Sequence, residues 1–302
     1  MARAGLAQPR ACPFCANEFP SSVHRLPGRL ECPVCHVQVS DPWPSDEELT
    51  EAYSTFYRPD SGRFSGPGDA LLRRARGSLA RRIDVIAPPG PVLDVGAGDG
   101  ALLDALHALG RRAEGLERTR TRRDIRVAEI DEVEAGWAAI VMWHALEHLR
   151  RPGEALTAAA QRLKPGGVLL VAVPNISSIQ AQLFAERWFA LDIPRHLTHI
   201  PSSTLIEALI ERRLKVERVS AWRGGQVFFG WADGLVGRFV PGHPSLYDAI
   251  RKPSARGHPM AGATRMAALT GAVVLSPVAA AGSVLELVTK RGGTTYVEAR
   301  TS

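Results

Sequence analysis

The chain has 302 residues, 45% of them hydrophobic, with a net charge of +6 and a pI near 9.5. That length suffices for one full α/β domain plus a small extra module, and no more. Only four of the 37 basic residues are lysine, at positions 164, 215, 252 and 290. The arginines alternate with apolar residues, as in Arg73, Arg74, Arg76, Arg81 and Arg82, and no basic patch is interleaved with aromatics. The lack of such a patch leaves a nucleic-acid partner as a minor alternative, and the charge suits an anionic substrate or an acidic membrane surface equally.

All four cysteines fall within the first 35 residues, as Cys12-Pro-Phe-Cys15 and Cys32-Pro-Val-Cys35 separated by sixteen residues. Each Cys-x-x-Cys turn presents two sulfurs to one ion, and two turns complete a tetrahedron. So short a segment holds almost no apolar core, so a metal would supply its folding energy. Structural zinc is the expected occupant; two disulfides or a rubredoxin-type iron site are the alternatives. His24 and His36 are expected at the surface. Met1–Arg10 has no apolar run, and a reducing, cytosolic setting is expected.

Asp41-Pro-Trp-Pro-Ser45 reads as a stiff linker, with Ser45 as a helix cap and Glu47 and Glu48 in the first turn. Tyr53, Phe56 and Tyr57 follow, then a Pro/Gly stretch from Arg58 to Gly68, then a basic helix over 69–86. Val92–Val95 is a short apolar run that breaks at Gly96, and Leu102, Leu103, Leu106 and Leu109 continue with helical spacing. Strand, glycine turn and helix in that order form a nucleotide-type cofactor site, because a helix N-terminus offers free N–H groups and the glycines let backbone approach the ligand. Gly96-x-Gly98-x-x-Ala101 also fits the loose dinucleotide pattern. Asp94 at the strand end, a third glycine at Gly100 and the acid Asp99 favour instead a cofactor with a positive end.

Further strands are expected at 112–117, 125–128, 138–143, 167–173, 215–222 and 292–300, with 128–134 as a surface loop. The last strand should run antiparallel to 215–222, giving a seven-stranded, mostly parallel sheet with helices on both faces. Residues 266–285 carry no charge. Pro277 interrupts them, so two short helices are expected that pack on the core or rest on a membrane surface, rather than one span. The domain plan is a knuckle over 1–42, a helical linker or lid over 43–85, and an α/β domain over 86–302 with a helical insertion at 223–291.

Leu93-Asp-Val-Gly-Ala-Gly-Asp-Gly100 resembles motif I of the class I S-adenosylmethionine (SAM) methyltransferases, of the UbiG-like and type 11/23 groups. Leu163-Lys-Pro-Gly-Gly167 before an apolar strand, and the Leu146-Glu-His-Leu149 segment, resemble later marks of the same superfamily. The resemblance covers roughly 86–225 and the last strand. It implies a Rossmann-like fold, SAM as cofactor, and a small-molecule acceptor methylated at oxygen, of quinone, glycan or secondary-metabolite type. It implies that Asp94, Gly96, Ala97, Gly98, Asp99 and Gly100 wrap the amino-acid end of SAM, that Glu117 holds the ribose hydroxyls, and that His144 lies beside the cofactor. The linker, with Tyr-x-x-Phe-Tyr at 53–57, resembles a lid in some bacterial relatives, so Tyr53 and Tyr57 are candidate cofactor or substrate contacts. Packing of the linker on the core is the plainer reading.

SAM supplies the electrophile, so the chain must supply binding, alignment and a proton acceptor. The candidates are His144, Glu147 and His148 after the fourth strand and Asp192, Arg195, His196 and His199 from a later loop. One reading makes His148 or His196 a general base. The other places a divalent metal on His144, Glu147, His148 and His196, since some relatives bind a metal with Glu-x-x-Glu-His here; His144 in the first position would favour a transition metal. The same residues could simply orient the segment through hydrogen bonds. A non-catalytic scaffold, or an RNA or protein methyltransferase using the knuckle as a grip, are the alternative functions. The oligomeric state is open.

Overall fold

Short apolar runs alternating with amphipathic stretches can bury themselves only as a sheet covered on both faces. A computed structural model shows this arrangement and describes residues 9–56, 68–120, 122–221, 225–252 and 259–302. The strands are β4 (Val92–Val95), β5 (Ala113–Leu116), β6 (Ile125–Arg126), β7 (Trp137–Trp143), β8 (Leu163–Pro174), β10 (Lys215–Ser220) and β11 (Thr294–Arg300). They lie in the order β10-β11-β8-β7-β4-β5-β6. β11 is antiparallel to both its neighbours; the other pairings are parallel. This is the expected seven-stranded, Rossmann-like sheet. β4, β7 and most of β8 are buried on both faces, which is why they read as continuous apolar runs. β6 is only two residues long, matching the weak pattern there, and 130–132 forms a single 3-10 turn capped by Glu129 and Glu132.

One face is covered by α2 (Gly68–Ile86) and α3 (Ala101–His107), packed through Leu79, Ile83, Leu102 and Leu106. The other carries α4 (Pro152–Arg162) and α6 (Ser202–Glu211), and the apolar side chains of the N-terminal module merge into that same core. The module is a meander of β1 (His24–Leu26), β2 (Arg29–Glu31) and β3 (Gln38–Ser40), followed by α1 (Asp46–Phe56), which Ser45 and Glu48 cap reciprocally. Its third strand pairs with β9 (Thr198–His199) of the α/β domain. The knuckle is thus continuous with the larger domain in a four-stranded second sheet.

The stretch between β10 and β11 folds as a helical insertion: α7 (Gln226–Phe239), α8 (Leu246–Ile250) and α9 (Gly262–Thr289). With α5 (Ile179–Phe184) they enclose a third core around Phe184, Trp188 and Trp231. Here one expectation fails. α9 is a single helix of 28 residues running through Pro277, not two short ones. Proline removes the donor for the carbonyl four residues back, and the Ser276 hydroxyl takes that carbonyl, donating to Val273 O at 2.7 Å. Ala268, Ala279, Gly282 and Glu286 face the core. Glu286 accepts from the Gln180 and Gly293 amides and so ties the helix to β11. The opposite face, from Met266 through Val273, Val274, Val278 and Val284 to Val288, is exposed.

Candidate active site

The carboxyl ends of β4, β5 and β7 converge where the sheet order turns back, the place at which open α/β sheets bind ligands. The glycine loop leaves β4 there. Gly96 and Gly98 have φ of 77° and 61°, a region that L side chains rarely adopt. A Cβ on Gly96 would lie 2.7 Å from the Ala145 side chain of the segment after β7. The glycines therefore let two loops approach each other at the mouth of the site.

Glu117 follows β5 and reaches back to the loop. One carboxylate oxygen accepts the Gly98 N–H at 2.9 Å, and the other accepts the Arg118 N–H at 2.9 Å. The expected ribose ligand thus abuts the expected cradle, with lone pairs left on each oxygen. Asp99 accepts the Ala101 N–H at the start of α3. Asp94 is buried at the end of β4, and burial pushes its carboxyl up to about 7. Arg76 of α2 opposes that rise, while the nearby Glu117 and Asp99 carboxylates add to it. Arg76 also stacks its guanidinium over Trp143, 5.5 Å from the ring centroid.

After β7 the chain turns sharply, with His144 at φ 52°. The His144 Nδ1 lies 3.3 Å from Glu147 Oε1, and its Nε2 lies 3.2 Å from the side-chain oxygen of Gln226. Glu147 is 1% exposed. Burial disfavours its charge, but His144, His148 and His196 around it hold it at about 2. Its second oxygen has no hydrogen-bond partner among the described residues. His148 Nδ1 sits 2.9 Å from the Arg195 carbonyl and 3.0 Å from the Tyr53 hydroxyl. Burial and the neighbouring His196 push its imidazole down to about 4, so it is neutral at physiological pH. His196 donates from Nδ1 to Ala190 O at 2.7 Å, turning Nε2 toward Glu147 and Asp192, at 4.0 and 3.7 Å. One donor atom each from Glu147, His148 and His196 falls within a span of 4.8 Å.

The structure thus brings His144, Glu147, His148 and His196 together beside the glycine loop. It sets His199 apart, buried against the knuckle sheet, donating from Nε2 to Leu191 O and pushed down to about 3 by that burial. Arg195 pairs with Asp192 at 2.7 Å. Tyr53 reaches the site from α1, with the Arg118 guanidinium over its ring and burial raising its phenol to about 12. Tyr57 lies outside the described residues. Sequence reasoning missed Gln226, Arg118 and Arg76. Each is a polar residue on an amphipathic or loop segment with nothing in its spacing to mark it, although the adjacency of Arg118 to Glu117 was visible.

The four cysteine sulfurs form a second cluster, within 4.8 Å of one another. Cys12 and Cys35 sulfurs are 3.7 Å apart and those of Cys15 and Cys32 are 3.6 Å apart; all four thiols are free, with no disulfide among them. Four sulfurs about 2.3 Å from a shared centre would be about 3.8 Å apart, so the tetrad has the dimensions of a thiolate metal site.

A family profile described as a methyltransferase domain matches residues 70–219. These residues carry a methyltransferase domain. The matched span runs from α2 through β10 and contains the loop, Glu117 and the His144–His148 segment. Among solved structures, a SAM-dependent methyltransferase from Archaeoglobus fulgidus aligns at 14% identity over 76% of this chain and 94% of its own, with a TM-score of 0.48. One from Mesorhizobium loti aligns at 15% identity over 75% and 97%, with a TM-score of 0.43. The [4+2]-cyclase SpnF aligns at 16% identity over 84% and 90%, with a TM-score of 0.47. A search of curated protein sequences finds no match.

Proposed function

We propose that this methyltransferase moves a methyl group from SAM to an oxygen of a small-molecule acceptor, with His144 as the proton acceptor. The observation that carries the reading is the His144–Glu147 pair, 3.3 Å apart and one strand away from the glycine loop. Bound SAM supplies a methyl on a sulfonium, a strong electrophile. The 96–100 loop and Glu117 would hold the cofactor, and Asp94 would face its cationic end. Glu147, kept ionised, orients the imidazole through Nδ1 and would stabilise the charge it gains. Nε2, which rests against the Gln226 side chain, would take the hydroxyl proton once the acceptor displaces Gln226, as the S–CH3 bond breaks, the C–O bond forms and S-adenosylhomocysteine leaves. Gln226 and Trp143 bracket the acceptor side, so the helical insertion contributes to the choice of substrate.

A second reading has its own observation. His148 and His196 both have Nδ1 within hydrogen-bond distance of a backbone carbonyl, and the inner oxygen of Glu147 has no hydrogen-bond partner among the described residues. That is how metal ligands are commonly oriented, and two imidazoles with one carboxylate suit a divalent transition metal. Such an ion would hold the acceptor oxygen and replace the base.

For the cysteine tetrad we infer structural zinc, closed to substrate by four thiolates. For the bare face of α9 we infer a resting place on an anionic membrane surface. It presents only uncharged residues from Met266 to Val288, Phe239 is exposed on the adjoining α7, and Lys290 closes the helix in a chain of net charge +6. On this reading the enzyme would work in the cytoplasm, against the inner membrane face.

Calorimetric titration with SAM and S-adenosylhomocysteine tests the cofactor site. Micromolar binding should weaken about 100-fold in Glu117→Ala, because a charge-assisted hydrogen bond contributes about 1.5–3 kcal/mol. A folded protein that binds neither ligand would overturn the enzyme reading in favour of a scaffold. Added Mn2+ or Co2+ separates base from metal: binding lost in His196→Ala favours the second reading.

A further inference from the structure

The knuckle and the segment that carries His196 share a sheet. Residues 192–200 carry His196 and contain the two-residue β9, paired with β3 through Gln38–His199 and Val39–Thr198, followed by a single bridge from Ile200 to Asn175. At the end of β3, the fully buried Ser40 makes two bonds to the same segment: its hydroxyl donates to the His196 carbonyl at 2.9 Å, and its N–H donates to the Leu197 carbonyl at 3.0 Å. From the other side the Leu197 N–H donates to the Glu147 carbonyl at 2.9 Å. The cysteine turns are docked equally closely. Thr204 donates to the Cys35 carbonyl at 2.7 Å, and Gly153 at the start of α4 packs directly on the Phe14 backbone, leaving no room for a Cβ.

We infer that the four-cysteine knuckle is a positioning element of the catalytic centre, and that Ser40 is the residue through which it sets His196 against Glu147 and His148. The inference rests on the zinc reading of the tetrad. Three strands of three residues each hold little apolar area of their own, so ion binding would supply much of their order beside the packing of Phe14, Val37 and Val39 in the shared core. That order passes along β3 into the backbone of 196–199. The imidazole of His196 is then fixed from both ends, by Ser40 at its carbonyl and by Ala190 at its Nδ1. The glycine loop and Glu117 make none of these contacts. Loading of the cysteines therefore governs the acceptor half of the site and leaves the SAM half alone. The buried contacts with Pro13, Phe14, Cys35 and Ser40 leave this face of the knuckle committed to its own chain rather than to an external partner.

The test uses the full chain. Zinc is withdrawn with a thiol-reactive mercurial and a chelator, and amide exchange is followed by mass spectrometry. Peptides spanning 192–200 should exchange at least about tenfold faster together with those of 24–40, while β7 and β8 keep their protection. SAM affinity should change by less than about twofold. Retained protection at 192–200 while 24–40 loses its own would overturn the inference. Ser40→Ala in the zinc-loaded protein guards against general unfolding. It should shift or broaden the imidazole 15N resonance of His196, assigned by its loss in His196→Gln, with SAM binding intact. An unmoved resonance would refute the role of Ser40. Failure of the zinc-loaded wild type to bind SAM would instead count against the methyltransferase reading itself.

Discussion

Asp94 should give up a proton when SAM binds. Its carboxyl is buried at the end of β4 and pushed up to about 7, with burial as the main cause. At pH 6.5 such a group is about three-quarters protonated in the free protein. SAM brings a sulfonium and an ammonium, and an opposite charge within about 4–6 Å lowers a carboxyl pKa by roughly 1–3 units. Binding should therefore release about 0.7 protons at pH 6.5 and about 0.1 at pH 8, and SAM affinity should rise about tenfold between pH 6 and pH 8. The assay is calorimetric titration in buffers of different ionisation enthalpy, where the slope of apparent enthalpy counts protons. The Asp94→Asn variant should lose both the proton release and the affinity gain. A slope near zero at pH 6.5, or a slope unchanged in Asp94→Asn, would refute the placement of Asp94 at the cationic end of the cofactor. In the free protein the sign is the reverse of a salt-bridged acid: a folded-state pKa raised toward 7 gives stability that is full below about 4 and is lost as pH rises through 7.

Glu147 carries the opposite sign. Held at about 2 in the folded chain, it contributes stability above about 4 that is lost as pH falls through 2, so urea midpoints of Glu147→Gln should fall less steeply than wild type below pH 4. The same variant, once an acceptor is known, should lose about 100-fold or more in kcat with SAM binding preserved, which single-turnover kinetics would read. Gly96→Ala forces a side chain onto a backbone at φ 77° and against Ala145, and should cost about 1–3 kcal/mol in denaturant unfolding along with SAM binding. Val274→Asp with Val278→Asp on the exposed face of α9 should abolish co-sedimentation with anionic vesicles without lowering Tm, and undiminished sedimentation would refute the membrane contact.

The sequence by itself determined the sheet and the glycine loop proposed to hold the cofactor. Strands buried on both faces must be apolar throughout, so β4, β7 and β8 announced themselves. A glycine turn between strand and helix has few other uses, and Glu117 follows its strand at a fixed offset, so the local chain already held the loop and its acid in register. The cysteine tetrad was equally legible, because two Cys-x-x-Cys turns bring four sulfurs together whatever the rest does. Tertiary structure alone decided the cluster around Glu147 proposed to face the acceptor. Which imidazole meets Glu147 depends on side chains brought from β7, from the 190–199 segment and from α7, far apart in the chain, and no periodicity encodes such meetings. The pairing of β3 with β9 was hidden because two-residue strands carry no pattern. Pro277 misled for a related reason: whether a proline breaks a helix depends on whether a neighbouring group takes the carbonyl it frees, and here Ser276 takes it.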